Sequence, residues 1–135
     1  MTQPQGPDAE GALWLALDGR DMGPLVARLD GASSLSFPGL SGLGGDYQGR
    51  EAIVGLLRRM AAATGGTLHF EICRSLMSNL SALRIEGRLS GDRDGRPIDV
   101  AVTVDATLAD KVFQTIDIDC ADRSTWDTLW GRAPR

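Results

Sequence analysis

Leu83-Arg84-Ile85-Glu86-Gly87-Arg88-Leu89 alternates without a slip, setting Leu83, Ile85, Gly87 and Leu89 against Arg84, Glu86 and Arg88. A period of two is the signature of a strand with one buried and one wet face. The pattern repeats downstream. Ile98, Val100, Val102, Val104 and Ala106 share one face of a strand running from Ile98 to Leu108. Asp99, Ala101, Thr103, Asp105 and Thr107 share the other. Gly91-Asp92-Arg93-Asp94-Gly95 supplies the hairpin turn between the two strands.

The alternation extends in both directions. Upstream, Phe70, Ile72 and Arg74 face one way in a strand, opposite His69, Glu71 and Cys73, and Ser78-Asn79 turns the chain. Downstream, Ala109-Asp110-Lys111 leads into a last strand. There Val112, Ile116 and Ile118 oppose Phe113, Thr115, Asp117 and Asp119.

Ahead of this meander the period is helical. Ile53, Leu56, Leu57 and Met60 predict a helix from Arg50 to Thr64, ended by Gly65-Gly66. Ala12, Leu13, Leu15, Ala16 and Leu17 predict a first helix from near Asp8 to Gly19. Asp21 can cap a second, with Pro24 in its first turn and Leu25, Val26 and Leu29 facing inward. The Gly31–Gly49 segment reads as loop with one short strand, Ser34–Phe37. Asp122 can cap a final helix carrying Trp126, Leu129 and Trp130.

Helices followed by an antiparallel meander predict an α+β fold, with a curved sheet wrapped around the N-terminal helices. Such a curve leaves a pocket between sheet and helices. The 135 residues fit one domain, expected over 8–131, with 1–7 a flexible tail and 132–135 a second tail.

Composition removes several functions. A net charge of −4 argues against nucleic acid as a partner. Lys111 is the only lysine among 14 basic residues, which reads as codon bias rather than an arginine-built phosphate site. Cys73, Cys120 and the single His69 do not make a zinc set, so no metal is expected. No apolar run reaches the roughly 20 residues that cross a membrane. The N-terminal Met1-Thr2-Gln3-Pro4 lacks the features of a signal peptide, so a cytoplasmic location is expected. Gly39-Leu40-Ser41-Gly42-Leu43-Gly44-Gly45 lacks the lysine of a phosphate loop and reads as a flexible rim.

Several segments together resemble the SnoaL-like branch of the nuclear-transport-factor-2-like superfamily. They are the paired helices Ala12–Asp18 and Asp21–Leu29, then Phe37-Pro38-Gly39 with Gly45-Asp46-Tyr47-Gln48-Gly49-Arg50-Glu51-Ala52-Ile53, then the meander. The acidic-then-aromatic close Asp122-Arg123-Ser124-Thr125-Trp126-Asp127-Thr128-Leu129-Trp130 completes the set. The resemblance implies a cone with an internal pocket and no cofactor. It implies no single reaction, because this fold carries isomerases, cyclases, epoxide hydrolases and inert binding modules.

The residues narrow that range. The ketosteroid isomerase roles fall on Phe37, on Leu13 or Trp14, and near Val104, none of which bears the required acid or base. The arginine and carboxylates of an epoxide hydrolase have candidates in Arg74 or Arg84 with Asp99, Asp105, Asp117 and Asp119. Resemblance to the cyclases implies Asp119, then Asp117, as the acid–base group. Both point outward if Val112, Ile116 and Ile118 line the pocket, whereas a bulge near the strand's end would carry Asp119 inside.

Trp14, Phe37, Tyr47, Leu57, Arg74 and Val102 are the expected pocket lining, and His69 is expected at the surface. Two readings stand. One is an acid–base cyclase or isomerase acting on a hydrophobic polyketide- or terpenoid-like substrate. The other is a non-catalytic module for an apolar ligand or a protein. Under either, relatives imply a homodimer through the outer sheet face around Ala101, Thr103, Thr115 and Phe113.

Overall fold

The four alternating segments pair as one meander in a computed structural model that describes residues 8–39, 43–78, 81–93 and 95–130. β3 (His69–Ser78), β4 (Ala82–Arg93), β5 (Arg96–Ala109) and β6 (Val112–Cys120) run antiparallel in sequence order. Leu83, Ile85 and Leu89 on β4 and Val100, Val102, Val104 and Ala106 on β5 are all buried on the inner face. The alternation fixes the register, because a slip of one residue would expose the whole row.

The turns are tighter than the composition implies. β4 continues through Arg93 and β5 begins at Arg96, so positions 91–93 of the turn expected at 91–95 belong to a strand. Gly95 sits at φ +80°. Asp94 lies outside the described residues, as do Asn79, residues 40–42 of the expected rim, and the expected tails at 1–7 and 132–135. Between β5 and β6, Asp110 and Lys111 adopt φ of 51° and 68°. Two consecutive positive φ values match the twist of a two-residue hairpin.

β1 (Ser34–Phe37) joins β6 in parallel, and β2 (Gly45–Gln48) pairs antiparallel with β1. The sheet order is β2-β1-β6-β5-β4-β3. β2 corrects the expectation of loop after β1. Its Gly-Asp-Tyr-Gln sequence has no apolar alternation, since β2 is an edge strand with three of its four residues exposed.

Two bulges correct the assignment of faces. On β3 the register steps from Ile72–Gly87 to Arg74–Glu86, leaving Cys73 as the extra residue. The phase reverses there, so Arg74 is exposed on the outer face instead of following Phe70 and Ile72 inward. On β6 the register steps from Thr107–Thr115 to Leu108–Phe113. Phe113 therefore turns inward and is fully buried, so it does not belong to the outer face expected to carry it. The Phe113 amide donates to the Arg28 carbonyl at 2.8 Å. Its carbonyl accepts from Ser33 Oγ at 2.6 Å.

Among the described residues four helices fill the concave side. α1 (Ala9–Leu17) is capped by Asp8, whose side chain accepts from Gly11 N. α2 is only Gly23–Val26, with Met22 at its N-cap and Asp21 accepting from Gly23 N. α3 (Arg50–Ala63) buries Ile53, Leu56, Leu57 and Met60. It ends at Thr64, Gly65 and Gly66, where positive φ at both glycines turns the chain. α4 (Arg123–Trp130) lays Trp126, Leu129 and Trp130 against the sheet. Gly87 shows how sharply the sheet curls, because a Cβ there would stand 2.3 Å from the Glu71 carbonyl oxygen on β3. Only glycine admits that approach.

Candidate functional site

The concave face is an apolar surface closed by an aromatic wall. Phe37, at the end of β1, stands 4.9 Å from the Trp126 ring and 5.5 Å from the Trp130 ring, and the two indoles are 5.4 Å apart. The tilted and edge-on arrangement is the favourable one for aromatic rings. Trp126 Nε1 donates to the Pro38 carbonyl at 2.8 Å, tying α4 to the chain that leaves β1. Gly39 follows at φ +95°, where a Cβ would meet Asp127 Oδ1 at 2.3 Å. The close fit between β1's exit and α4 thus depends on that glycine. Leu57 on α3 and Val102 on β5 belong to the same buried core.

Trp14 and Tyr47 sit at the margins of this core, each half-buried. Trp14 Nε1 donates to the Phe70 carbonyl at 2.7 Å, and the Arg20 guanidinium lies 5.1 Å from the centre of its ring. The Tyr47 hydroxyl donates to the Leu43 carbonyl at 2.6 Å. Arg59 stacks on the Tyr47 ring and donates to its hydroxyl at 3.2 Å. Tyr47 is thereby engaged with α3 and the chain before β2.

Among the described residues the buried polar side chains are Asp18, Ser33 and Thr64. Thr64 Oγ1 donates back to the Met60 carbonyl at 3.1 Å, and Ser33 Oγ serves Phe113. Asp18 is the buried carboxylate. Its Oδ1 accepts the Phe70 amide at 2.7 Å and lies 2.6 Å from His69 Nδ1, while Oδ2 lies 2.5 Å from Arg20 Nε. His69 is exposed, as expected, but it is held by a carboxylate that the sequence did not single out. The spacing of Asp18 just after an apolar helix was the available signal, and it read only as a helix end.

Asp117 and Asp119 both lie on the outer face and are exposed. Asp119 Oδ1 accepts its neighbour's amide, Cys120 N, at 3.0 Å, and Arg123 Nη2 lies 3.5 Å from it. Asp117 stands opposite Asp105 in the register, and Arg84 Nε is 3.4 Å from Asp105 Oδ1. Arg88 Nε donates to Asp99 Oδ1 at 2.8 Å. The β6 bulge falls at the strand's start, not near its end, so it turns Phe113 inward and leaves both aspartates outside. The structure therefore brings Phe37, Leu57 and Val102 into the core, sets Trp14 and Tyr47 beside it, and places Arg74, Asp117 and Asp119 on the other side of the sheet.

Shallow grooves among the described residues mark that outer face. One, of about 350 Å³, runs between Cys73, Glu86, Arg88, Thr103 and Asp119. Another, of about 270 Å³, lies between Leu76, Arg84, Asp105, Thr107 and Asp117. Cys73 is exposed and Cys120 buried. Burial pushes the Cys120 thiol above its ordinary range, partly offset by the nearby Arg123 guanidinium. Among the described residues no cluster of three His, Cys, Asp or Glu side chains could hold a metal ion. Nor is any helix long and apolar enough to cross a membrane.

No family model matches the sequence, and no curated protein matches it. Solved structures do. Bal32a, from a soil-derived mobile gene cassette, is 27% identical with a TM-score of 0.81, over 87% of this chain and 90% of that one. A putative SnoaL-like polyketide cyclase from Jannaschia sp. CCS1 is 15% identical with a TM-score of 0.71, over 99% and 100%. TerC, co-crystallised with polyporic acid, is 14% identical with a TM-score of 0.74, over 93% and 100%. The chain has the nuclear-transport-factor-2-like cone fold, with SnoaL-like proteins among its structural neighbours.

Proposed function

We propose that the protein binds a hydrophobic small molecule in the cone, as a non-catalytic pocket protein of the SnoaL-like kind. The observation that carries this reading is the division of the sheet. Phe37 and Val102 lie on its inner face, covered by Leu57 of α3 and by Trp126 and Trp130 of α4, whereas Arg74, Asp117 and Asp119 stand on its outer face. An acid–base cyclase or isomerase of polyketide- or terpenoid-like substrates needs a carboxylate within hydrogen-bond reach of the reacting carbon. Asp119 would reach the interior only if the end of β6 reversed its phase. TerC's co-crystallisation with polyporic acid supports a small organic ligand for the fold without supplying the ligand here.

The test is calorimetric titration with a neutral polycyclic probe such as N-phenyl-1-naphthylamine, at several temperatures. Saturable binding with a negative heat-capacity change, the mark of apolar burial, is the expected result. Absence of saturable binding would remove the reading.

The outer face is the proposed homodimer surface. Ala101 and Thr103 give it a low centre, and Arg84–Asp105 and Arg88–Asp99 pair its charges within the chain. Thr103→Arg, which adds bulk and an unpaired charge at that centre, is expected to convert a dimer to a monomer in sedimentation velocity. A wild-type monomer at micromolar concentration would dismiss the dimer.

A further inference from the structure

The strand register lays the outer-face residues out as a grid. Arg74, Glu86, Thr103 and Asp119 stand abreast on β3, β4, β5 and β6. Leu76, Arg84, Asp105 and Asp117 form the next row. Charge divides along this grid. The β3–β4 half carries Arg74, Arg84 and Arg88, with Glu71 and Glu86. The β5–β6 half carries Asp99, Asp105, Asp117 and Asp119, and among the described residues these strands put no basic side chain on that face.

Within the chain these charges are only partly matched. Arg84 Nε lies 3.4 Å from Asp105 Oδ1, Arg88 Nε 2.8 Å from Asp99 Oδ1 and Arg123 Nη2 3.5 Å from Asp119 Oδ1. Among the described residues, Arg74 on β3 and Asp117 on β6 take part in no ion pair, and both are exposed. They stand on opposite sides of the grid.

Symmetry limits how such a face can meet a second copy. A closed dimer uses the same patch twice, so the patch must complement itself. The two-fold axis relating two facing sheets lies in the plane of contact. Directed across the strands, it sets each strand over its own counterpart, and the aspartates of both β6 strands meet. Directed along the strands, between β4 and β5, it sets β3–β4 of one copy over β5–β6 of the other. Arg74 then stands over the aspartates of the other copy, and the two Arg84–Asp105 pairs join in alternating sign. Ala101 and Thr103, beside that axis, are small enough to admit a close approach. Like charges placed together oppose association, and opposite charges fix its orientation.

We propose that the outer face takes a second copy of this chain turned about an axis parallel to the strands, with Arg74 of each copy against Asp117 and Asp119 of the other. This rests on the homodimer reading above and deepens it, by assigning the orientation and the residues that set it.

The experiment is sedimentation velocity on wild type, on Arg74→Glu, on Asp117→Arg/Asp119→Arg and on an equimolar mixture of the two variants. Each variant alone places like charges together twice per dimer and should dimerise about tenfold more weakly than wild type. In the mixed dimer every contact again joins opposite charges, so the mixture should recover the wild-type dissociation constant. Variants that dimerise as wild type does, or a mixture no tighter than its components, overturn the orientation and leave the homodimer reading intact. A monomeric wild type at micromolar concentration removes both. Should a variant fail to fold, a salt series on wild type decides. The dissociation constant should rise severalfold between about 0.05 and 0.5 M salt, and a salt-independent dimer overturns the proposal.

Discussion

Asp18 accepts the Phe70 amide at 2.7 Å while, one helical turn earlier, Trp14 donates to the carbonyl of the same residue at 2.7 Å. Phe70 lies on β3, an edge of the sheet. Two side chains of α1 and its C-cap thus satisfy backbone groups that a further strand would otherwise pair, and they block strand addition at that point. Removing the acceptor with Asp18→Ala should lower stability by about 1–3 kcal/mol, because a buried N–H is left unpaired. Asp18→Asn retains an acceptor oxygen and should cost less. Urea unfolding with an unchanged m-value, together with faster hydrogen exchange at Phe70, checks the clasp. Wild-type exchange in Asp18→Ala would argue that the contact is incidental.

Two glycine substitutions should move stability in opposite directions. At Gly87 an added Cβ would lie 2.3 Å from the Glu71 carbonyl oxygen, so Gly87→Ala forces the β3–β4 curl to open. A loss of about 1–3 kcal/mol is expected. At Gly55, inside α3, an added Cβ meets nothing within 4 Å. Gly55→Ala should gain about 0.5–1 kcal/mol from helix propensity. Thermal unfolding of the pair decides whether the curl is as tight as described.

The cysteines should separate cleanly by reactivity. Cys73 is exposed at the β3 bulge, whereas Cys120 is buried and its thiol is held above its ordinary range, mainly by burial. A thiol-reactive disulfide reagent should therefore titrate one thiol rapidly in the native protein and two after denaturation. Rapid reaction of both in the native state would place Cys120 differently.

Asp122 gives an acid signature. The Thr125 hydroxyl, at 2.8 Å, and the Thr125 amide, at 3.2 Å, both donate to it and pull its carboxyl below the usual 3.8. A depressed carboxylate stabilises the fold above its unfolded value, and that stabilisation fades as pH falls through the lower folded value. Wild type should accordingly melt above Asp122→Ala near neutrality. The difference should narrow as the pH drops below 3.8. A gap independent of pH would mean that the Asp122 charge contributes nothing to the cap.

Much of the fold was legible because β4 and β5 alternate without interruption, and α3 carries its apolar residues at helical spacing. What escaped were features set by tertiary geometry. The bulges at Cys73 and Gln114 leave no mark in residue type, yet they reverse the faces of Arg74 and Phe113. β2 escaped because a four-residue edge strand needs no apolar row. In the core, Phe37, Leu57 and Val102 were visible as apolar residues in phase. The Asp18–His69 contact was not, since it joins a helix end to a strand 51 positions away through a pairing that no local pattern announces.

The most direct test of the interior-binding account is a fluorescence titration of N-phenyl-1-naphthylamine into wild type and into Asp117→Asn/Asp119→Asn. If the ligand lies against the aromatic wall, both proteins should bind it saturably with the same affinity and show tryptophan quenching. Loss of binding in the double variant would place the ligand on the outer face, beside the carboxylates, and contradict the account.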